Sequence, residues 1–250
     1  MNTNVQQRDE IAVVVGATGA FGNAIVPPAR RQVEHVDRLA AAGLGVVAVA
    51  RSADSLAALQ DRVPGLTACV ADISSDSSIA AISAAVNRPV RMVVHGPGVT
   101  VAGGILSAPT ATMVDAVNIK VGGLLRLTRA VDGLLAAGSR IVAIGGHYGF
   151  EPTAYAASAG VANAALVNVV RQLSLAYGPR GVTAHLIAPG PADTERLRRV
   201  AADRAALRGI TVDAVLAEML ADSSIGRFTT PEQVAWAVSL LLAPEADSMT

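Results

Sequence analysis

The residues that could do chemistry in this chain are few, and glycines come first. The apolar run Ile11–Val15 leads into Gly16-Ala17-Thr18-Gly19-Ala20-Phe21-Gly22. In a turn between a strand and a helix, missing side chains let the backbone approach a pyrophosphate. The free N–H groups and positive dipole end of the helix then attract it. The chemistry would be dinucleotide binding, with Gly16, Thr18, Ala20, Phe21 and Gly22 forming the cradle. A second apolar run, Gly45–Ala50, ends in Arg51-Ser52. The end of a second strand lies beside the adenosine ribose, where an acidic residue would bind the 2′-hydroxyl of NAD. None stands there. Arg51 offers a planar donor fork suited to a 2′-phosphate, so NADP is expected rather than NAD, with Ser52 next to it.

The other reactive side chains are soon counted. Lys120 is the only lysine among 20 basic residues, so any step that needs an amine falls to it or to a partner chain. Cys69 is the one cysteine, which excludes an intrachain disulfide and a cysteine metal cluster. His35, His95, His147 and His185 show no metal-ligand spacing. His185, inside an apolar strand, reads as a core histidine, and His95 as a structural one.

Elements that could position these residues follow from the apolar pattern. The chain has 250 residues, 52% of them hydrophobic, enough for one sizeable core and a single α/β domain. Its 20 Lys+Arg are balanced by 20 Asp+Glu, which argues against a general binder of nucleic acid or anionic membrane. No apolar run reaches the roughly 18 residues of a membrane span. The polar start, MNTNVQQRDE, carries no signal-peptide core, and a reducing cytoplasm is the expected setting. Strands are expected at Ile11–Val15, Gly45–Ala50, Leu66–Ala71, Arg91–His95, Arg140–Ile144 and Val182–Ile187. Each is nearly all apolar, as parallel strands buried on both faces are. Ala-rich helical stretches separate them, at Ser55–Arg62, Ser78–Val86, Thr112–Ala137 and Tyr155–Tyr177. This alternation predicts a doubly wound parallel sheet with helices on both faces. Pro27-Pro28 should break the first helix, with a restart near Ala29. The Arg-rich stretch Pro191–Ser224 suits a helical lid over the carboxyl ends of the strands.

Taken together, the chain resembles a short-chain dehydrogenase/reductase over nearly its whole length. The family's Thr-Gly-x-x-x-Gly-x-Gly matches Val15 to Gly22, with Ala20 in place of the middle glycine. The resemblance implies a Rossmann-like fold and further cofactor contacts. Asp72 and Ile73 after the third strand would lie near the adenine. Gly98 closes His95-Gly96-Pro97-Gly98, where the family reads Asn-Asn-Ala-Gly. Pro189 and Gly190 precede Thr194, which would meet the nicotinamide carboxamide. The family's closing Gly-x-x-x-x-Val-Asp-Gly-Gly is not found, so a seventh strand is expected to be missing.

The same resemblance implies a catalytic group of Tyr, Lys, Ser and Asn. Tyr155 matches the Tyr and Asn118 the Asn. Four residues after Tyr155, on the same helix face, the lysine position reads Ala159; the serine position reads Gly146. His147, beside Gly146, could bring an imidazole to the substrate oxygen after a one-residue shift of the loop. Lys120 lies two residues past Asn118, and residues i and i+2 on a helix point in different directions. It therefore reads as an ordinary helix residue. The activity implied is an NADP(H)-dependent oxidoreductase acting on a small carbonyl or alcohol, with an atypical active site. A non-redox enzyme on this scaffold (cyclase, dehydratase or isomerase) and a non-catalytic partner subunit are the alternatives. A homodimer or homotetramer is implied through the helices that carry Asn118 and Tyr155. No nucleic-acid or membrane partner is expected.

Overall fold

A computed structural model describes residues 9–25, 39, 42–63, 65–101 and 103–249. The predicted break at Pro27-Pro28 and the restart near Ala29 lie outside the described residues. Six parallel strands form one sheet: β1 (Ile11–Val15), β2 (Gly45–Ala50), β3 (Thr67–Val70), β4 (Val90–His95), β5 (Leu135–Ile144) and β6 (Thr183–Ile187). Their order is β3-β2-β1-β4-β5-β6. The chain therefore reverses direction across the sheet between β1 and β4, the place where open α/β sheets bind ligands at the strand carboxyl ends. Among the described residues no seventh strand is present.

Side-chain alternation decides which layer each strand residue enters. Ile11, Val13 and Val15 join a core with Ile82, Leu124, Leu127 and Leu166. Ala12 and Val14 join another with Leu56, Leu59, Val234 and Val238. The first layer comes from α3 (Ser77–Ala85), α5 (Gly123–Val131) and α6 (Ala157–Tyr177). The second comes from α2 (Ala53–Arg62) and α9 (Pro231–Leu240); the short α1 (Ala20–Ile25) follows the glycine turn. Four of the six strands are buried on both faces as the apolar runs predict, but β3 is an edge strand. Its Thr67 and Val70 are exposed, because only β2 lies beside it.

The long helix expected over Thr112–Ala137 is three pieces. Helix α4 (Thr110–Val117) runs into one π turn, Asn118–Gly122, and then into α5. It ends well short of Ala137, since Leu135 already pairs with Val90 as the first residue of β5. Arg140, fully buried in β5, donates from Nε to the Leu241 carbonyl at 2.7 Å and pairs with Asp247, tying the last segment to the sheet. Pro191–Ser224 is indeed helical: α7 (Glu195–Arg208) and α8 (Val212–Ala221) pack on each other through Leu197, Ala201, Val215 and Met219. Thr194 and Thr211 begin these helices, each side chain accepting the N–H three residues on. No helix among the described residues is long and apolar enough to cross a membrane.

Candidate active site

The nucleotide end is built by β1 and β2 stopping together. Gly16 donates to the Val49 carbonyl at 3.0 Å and then turns with φ +80°, a region that favours glycine. A Cβ there would sit 3.1 Å from the Gly96 and Pro97 backbone, so the turn presses on the end of β4. Gly19 donates back to the Gly16 carbonyl, and Gly22 lies directly over Gly16 and Ala17. Thr18 lies in this turn, half-buried, and Ala20 opens α1 exposed; Phe21 packs inward on the second core. The cradle has the lack of side chains that a pyrophosphate needs, so these residues fit a dinucleotide.

Next to it is a cleft of about 480 Å³ lined by Arg51, Val70, Ala71, Asp72, Ser77, Ser78 and Ala81. Arg51 and Asp72 thus face one space. Hydrogen bonds from the Ser74 backbone and hydroxyl hold the Asp72 carboxyl below its usual range, with a smaller contribution from Arg51. Ser52 is engaged as the N-cap of α2, accepting from Ser55 at 3.2 Å. The Ile73 side chain belongs to the core, which leaves only its backbone to face a ligand. On the far side of β1, Arg196 of α7 covers Gly98: its Nη1 lies 2.5 Å from where a Cβ would be, and Nη2 donates to the Val99 carbonyl. Thr194 Oγ1 serves α7 as a cap, and Pro189 accepts the His147 backbone N–H at 3.1 Å. Gly190 leads into the bridge between Ala192 and Thr229.

Tyr155 lies two residues before α6, not on it as the sequence predicts, because Ala156 bridges to Gly103 before the helix begins. The start of α6 is strapped to the loop after β4: Ser158 Oγ donates to Thr100 O at 2.7 Å, and Ala157 N to Gly103 O at 3.1 Å. Tyr155 OH lies 2.5 Å from Tyr148 OH, with the rings edge to face at 5.8 Å. Above the Tyr155 ring, 3.6 Å from its centroid, is the guanidinium carbon of Arg204 from α7. Burial pushes the Tyr148 phenol well above its ordinary value, and its bond to Tyr155 adds to the rise. The His147 ring lies tilted against Tyr148, centroids 4.0 Å apart, and desolvation pushes its imidazole below the ordinary value.

Beneath these rings the loop Gly145–Gly149 lies tight on α6. A Cβ at Gly146 would be 3.0 Å from the Asn163 Nδ2, and one at Gly149 2.8 Å from the Asn163 backbone. Asn163 is buried and its Oδ1 has no hydrogen-bond partner. Asn118 opens the π turn, its side chain donating to Ser74 O at 2.9 Å. Two residues on, Lys120 is buried and donates from Nζ to Ile144 O at 2.7 Å. Desolvation, with Arg196 nearby, lowers that amine to about 7. His95 is buried at the end of β4, its Nε2 3.0 Å from Ile119 O; burial, with Lys120, pushes it down to about 3.

A family profile described as "Enoyl-(Acyl carrier protein) reductase" matches residues 34–250. The chain belongs to the short-chain dehydrogenase/reductase family. It is 28% identical to a "Putative ketoacyl reductase" of Streptomyces coelicolor, over 98% of this chain and 94% of that one. It is 27% identical to the 3-oxoacyl-(acyl-carrier-protein) reductase of Escherichia coli, over 96% and 93%. A variant of actinorhodin polyketide ketoreductase, solved with NADPH, superposes with a TM-score of 0.83 at 25% identity, covering 98% of this chain and 94% of that one.

In this short-chain dehydrogenase/reductase, the residues read from the sequence fall into two groups. Gly16 to Gly22, Arg51, Ser52 and Asp72 follow the ends of β1, β2 and β3, and His147 and Tyr155 follow β5. Asn118 turns its side chain away from the second group, toward Ser74. Tyr148, with Phe150, is one of the two aromatic residues that the sequence places near the pocket, in the short stretch between Gly146 and Tyr155. Sequence reasoning passed over Asn163, Arg196 and Arg204. The Arg-rich lid gave no reason to prefer Arg196 or Arg204 over its neighbours.

Proposed function

We propose that this chain is an NADPH-dependent reductase of a small carbonyl substrate, working with an atypical catalytic group. The observation that carries the reading is the glycine cradle and Arg51 lying along the carboxyl ends of β1 and β2, with the Tyr148–Tyr155 hydroxyl pair in the stretch that follows β5. The names of the relatives make 3-oxoacyl thioesters the first substrates to try. NADPH, when bound, supplies the hydride. Tyr155 then holds the proton that the developing alkoxide must receive, and Tyr148, kept protonated, donates to the Tyr155 oxygen as that proton leaves. His147 is the weaker candidate for the acid, because desolvation disfavours its charged form. Gly146 and Ala159 stand where the family's Ser and Lys would be, which makes the centre atypical. Those two residues also favour the second reading, a non-redox enzyme on this scaffold, whose turnover would leave the nicotinamide absorbance unchanged.

Arg51 tests the cofactor choice. Titration of purified protein should show NADPH binding at micromolar concentration. Arg51→Ala should weaken it roughly tenfold to a hundredfold, the loss of one charge-assisted contact, and leave NADH binding as it was. Equal effects on both nucleotides would remove Arg51 from the 2′-phosphate. No binding of either would end the oxidoreductase reading.

A homodimer or homotetramer in the cytoplasm completes the proposal. Val114 on α4, and Val161 and Leu175 on α6, are exposed apolar residues on the helices that would meet a second copy. Sedimentation at micromolar concentration should show an oligomer, and a monomer would contradict it.

A further inference from the structure

We propose that Arg204 selects a substrate carrying its own carboxylate one or two carbons from the carbonyl, a short oxo acid. The inference rests on the reductase reading above and narrows its substrate from any small carbonyl compound to an acid.

Arg204 lies on α7, between the Thr194 cap and the left-handed Gly209 that ends the helix. Leu197, Ala201 and Ala205 of the same helix fix its rotation by packing on Val215 and Met219 of α8. That rotation turns Arg204 onto the face of Tyr155, its guanidinium carbon 3.6 Å from the ring centroid. The side chain is only 15% exposed. A positive charge is thus held largely out of water, beside the phenol that is to meet the substrate oxygen.

What this charge lacks is an acid of its own. Among the described residues its one ion pair is with Glu218 of α8, at 3.9 Å from Nη2, too far for a hydrogen bond. Glu218 is already gripped by Arg208, whose Nη2 donates to Oε1 at 2.9 Å and Nη1 to Oε2. Asp222, just after α8, acts on His147 and Tyr148 and forms no ion pair with Arg204. Nη1 of Arg204 is buried without a hydrogen-bond partner. Arg196, two turns earlier on α7, differs, because its Nη2 is used on the Val99 carbonyl.

The Tyr155 ring does not fill this need. A cation over an aromatic face uses the face of the guanidinium and leaves its in-plane N–H groups for another partner. An unsatisfied donor on a buried cation is costly to a fold. A planar fork of this kind matches a carboxylate, which accepts two parallel bonds from it. The geometry sets the distance as well. The hydroxyl of Tyr155 is on the edge of the same ring whose face carries Arg204. A carbonyl that accepts from the hydroxyl therefore brings a carboxylate to the guanidinium only if the acid is one or two carbons away. The neutral ester of the same acid leaves the buried donor unpaired.

Acetoacetate, pyruvate and the methyl ester of each test this directly. With NADPH, the wild-type protein should favour each acid over its ester roughly tenfold to a hundredfold in kcat/KM, the scale of a charge-assisted pair. Most of the preference should lie in KM. Arg204→Met keeps a long side chain on the Tyr155 ring but removes the fork, and the ratio of acid to ester should fall to about one. Arg204→Lys keeps the charge without the fork and should hold only part of the preference. A merely structural role would lower acid and ester alike, so an unchanged ratio in Arg204→Met overturns the inference. Should neither variant fold, the wild-type ratio still decides. Esters reduced as well as acids overturn the inference and leave the reductase reading intact. Protein that binds NADPH but reduces none of these compounds overturns it too. Protein that binds no NADPH sinks both.

Discussion

Gly22→Ala is expected to abolish nucleotide binding. A Cβ at Gly22 would fall on the carbonyl oxygen of Gly16 and lie 2.5 Å from Ala17 Cα. Both obstacles are backbone, so neither can move aside as a flexible side chain would. Gly16 is itself held by its bond to Val49 O, its φ of +80° and the backbone of Gly96 and Pro97 behind it. Relief therefore has to come from α1 lifting off the turn, which opens the cradle. Overpacking of this kind costs about 3 kcal/mol. Calorimetric titration should show NADPH affinity falling beyond measurement, and chemical unfolding should show a loss of stability near that figure. Ala20, by contrast, is exposed at the same turn, and Ala20→Gly should leave stability almost unchanged. A Gly22→Ala protein that still bound NADPH normally would mean that the ligand does not use this turn.

The cradle was legible in the sequence because its reasons are local. Glycines at 16 and 22, an apolar strand before them and a helix after them need no tertiary information. The strands were legible for a related reason: four of six are covered on both faces and so are apolar throughout. Where the environment changes, the reading fails. Edge strand β3 is shorter than its apolar run, and the Ala-rich run up to Ala137 hides the start of β5 at Leu135. Alanine is compatible with both elements, and the pairing of Leu135 with Val90 decides between them. Lys120 shows the same limit where its helix segment meets the sheet. Its number in the chain gives its angle to Asn118, but which of the two faces the sheet depends on how α4 and α5 lie on β4 and β5. Arg204 and Asn163 were out of reach altogether. One comes from a lid over forty residues away from Tyr155, and the other matters because glycines 145, 146 and 149 let it press against their loop.

Tyr155→Phe should lower kcat by about 10² to 10⁴, the usual worth of a positioned proton donor, with NADPH affinity unchanged. The hydroxyl is the one atom removed. The ring would keep its place under Arg204 and its edge-to-face contact with Tyr148, so stability should change by only about 1 kcal/mol. Tyr148→Phe separates the donor from its support. It leaves Tyr155 in place but takes away the hydroxyl 2.5 Å from it, and a fall of roughly tenfold in kcat is expected from one lost hydrogen bond. The order of the two effects matters more than their size. Burial raises the Tyr148 phenol above its ordinary value, so it keeps its proton and is suited to donate to Tyr155. If Tyr148→Phe proved the more damaging, the proton would have to come from Tyr148, and Tyr155 would be its positioning residue. If neither change lowered kcat, the acid would have to be sought at His147, the remaining side chain in contact with this pair that can carry a proton to an oxygen.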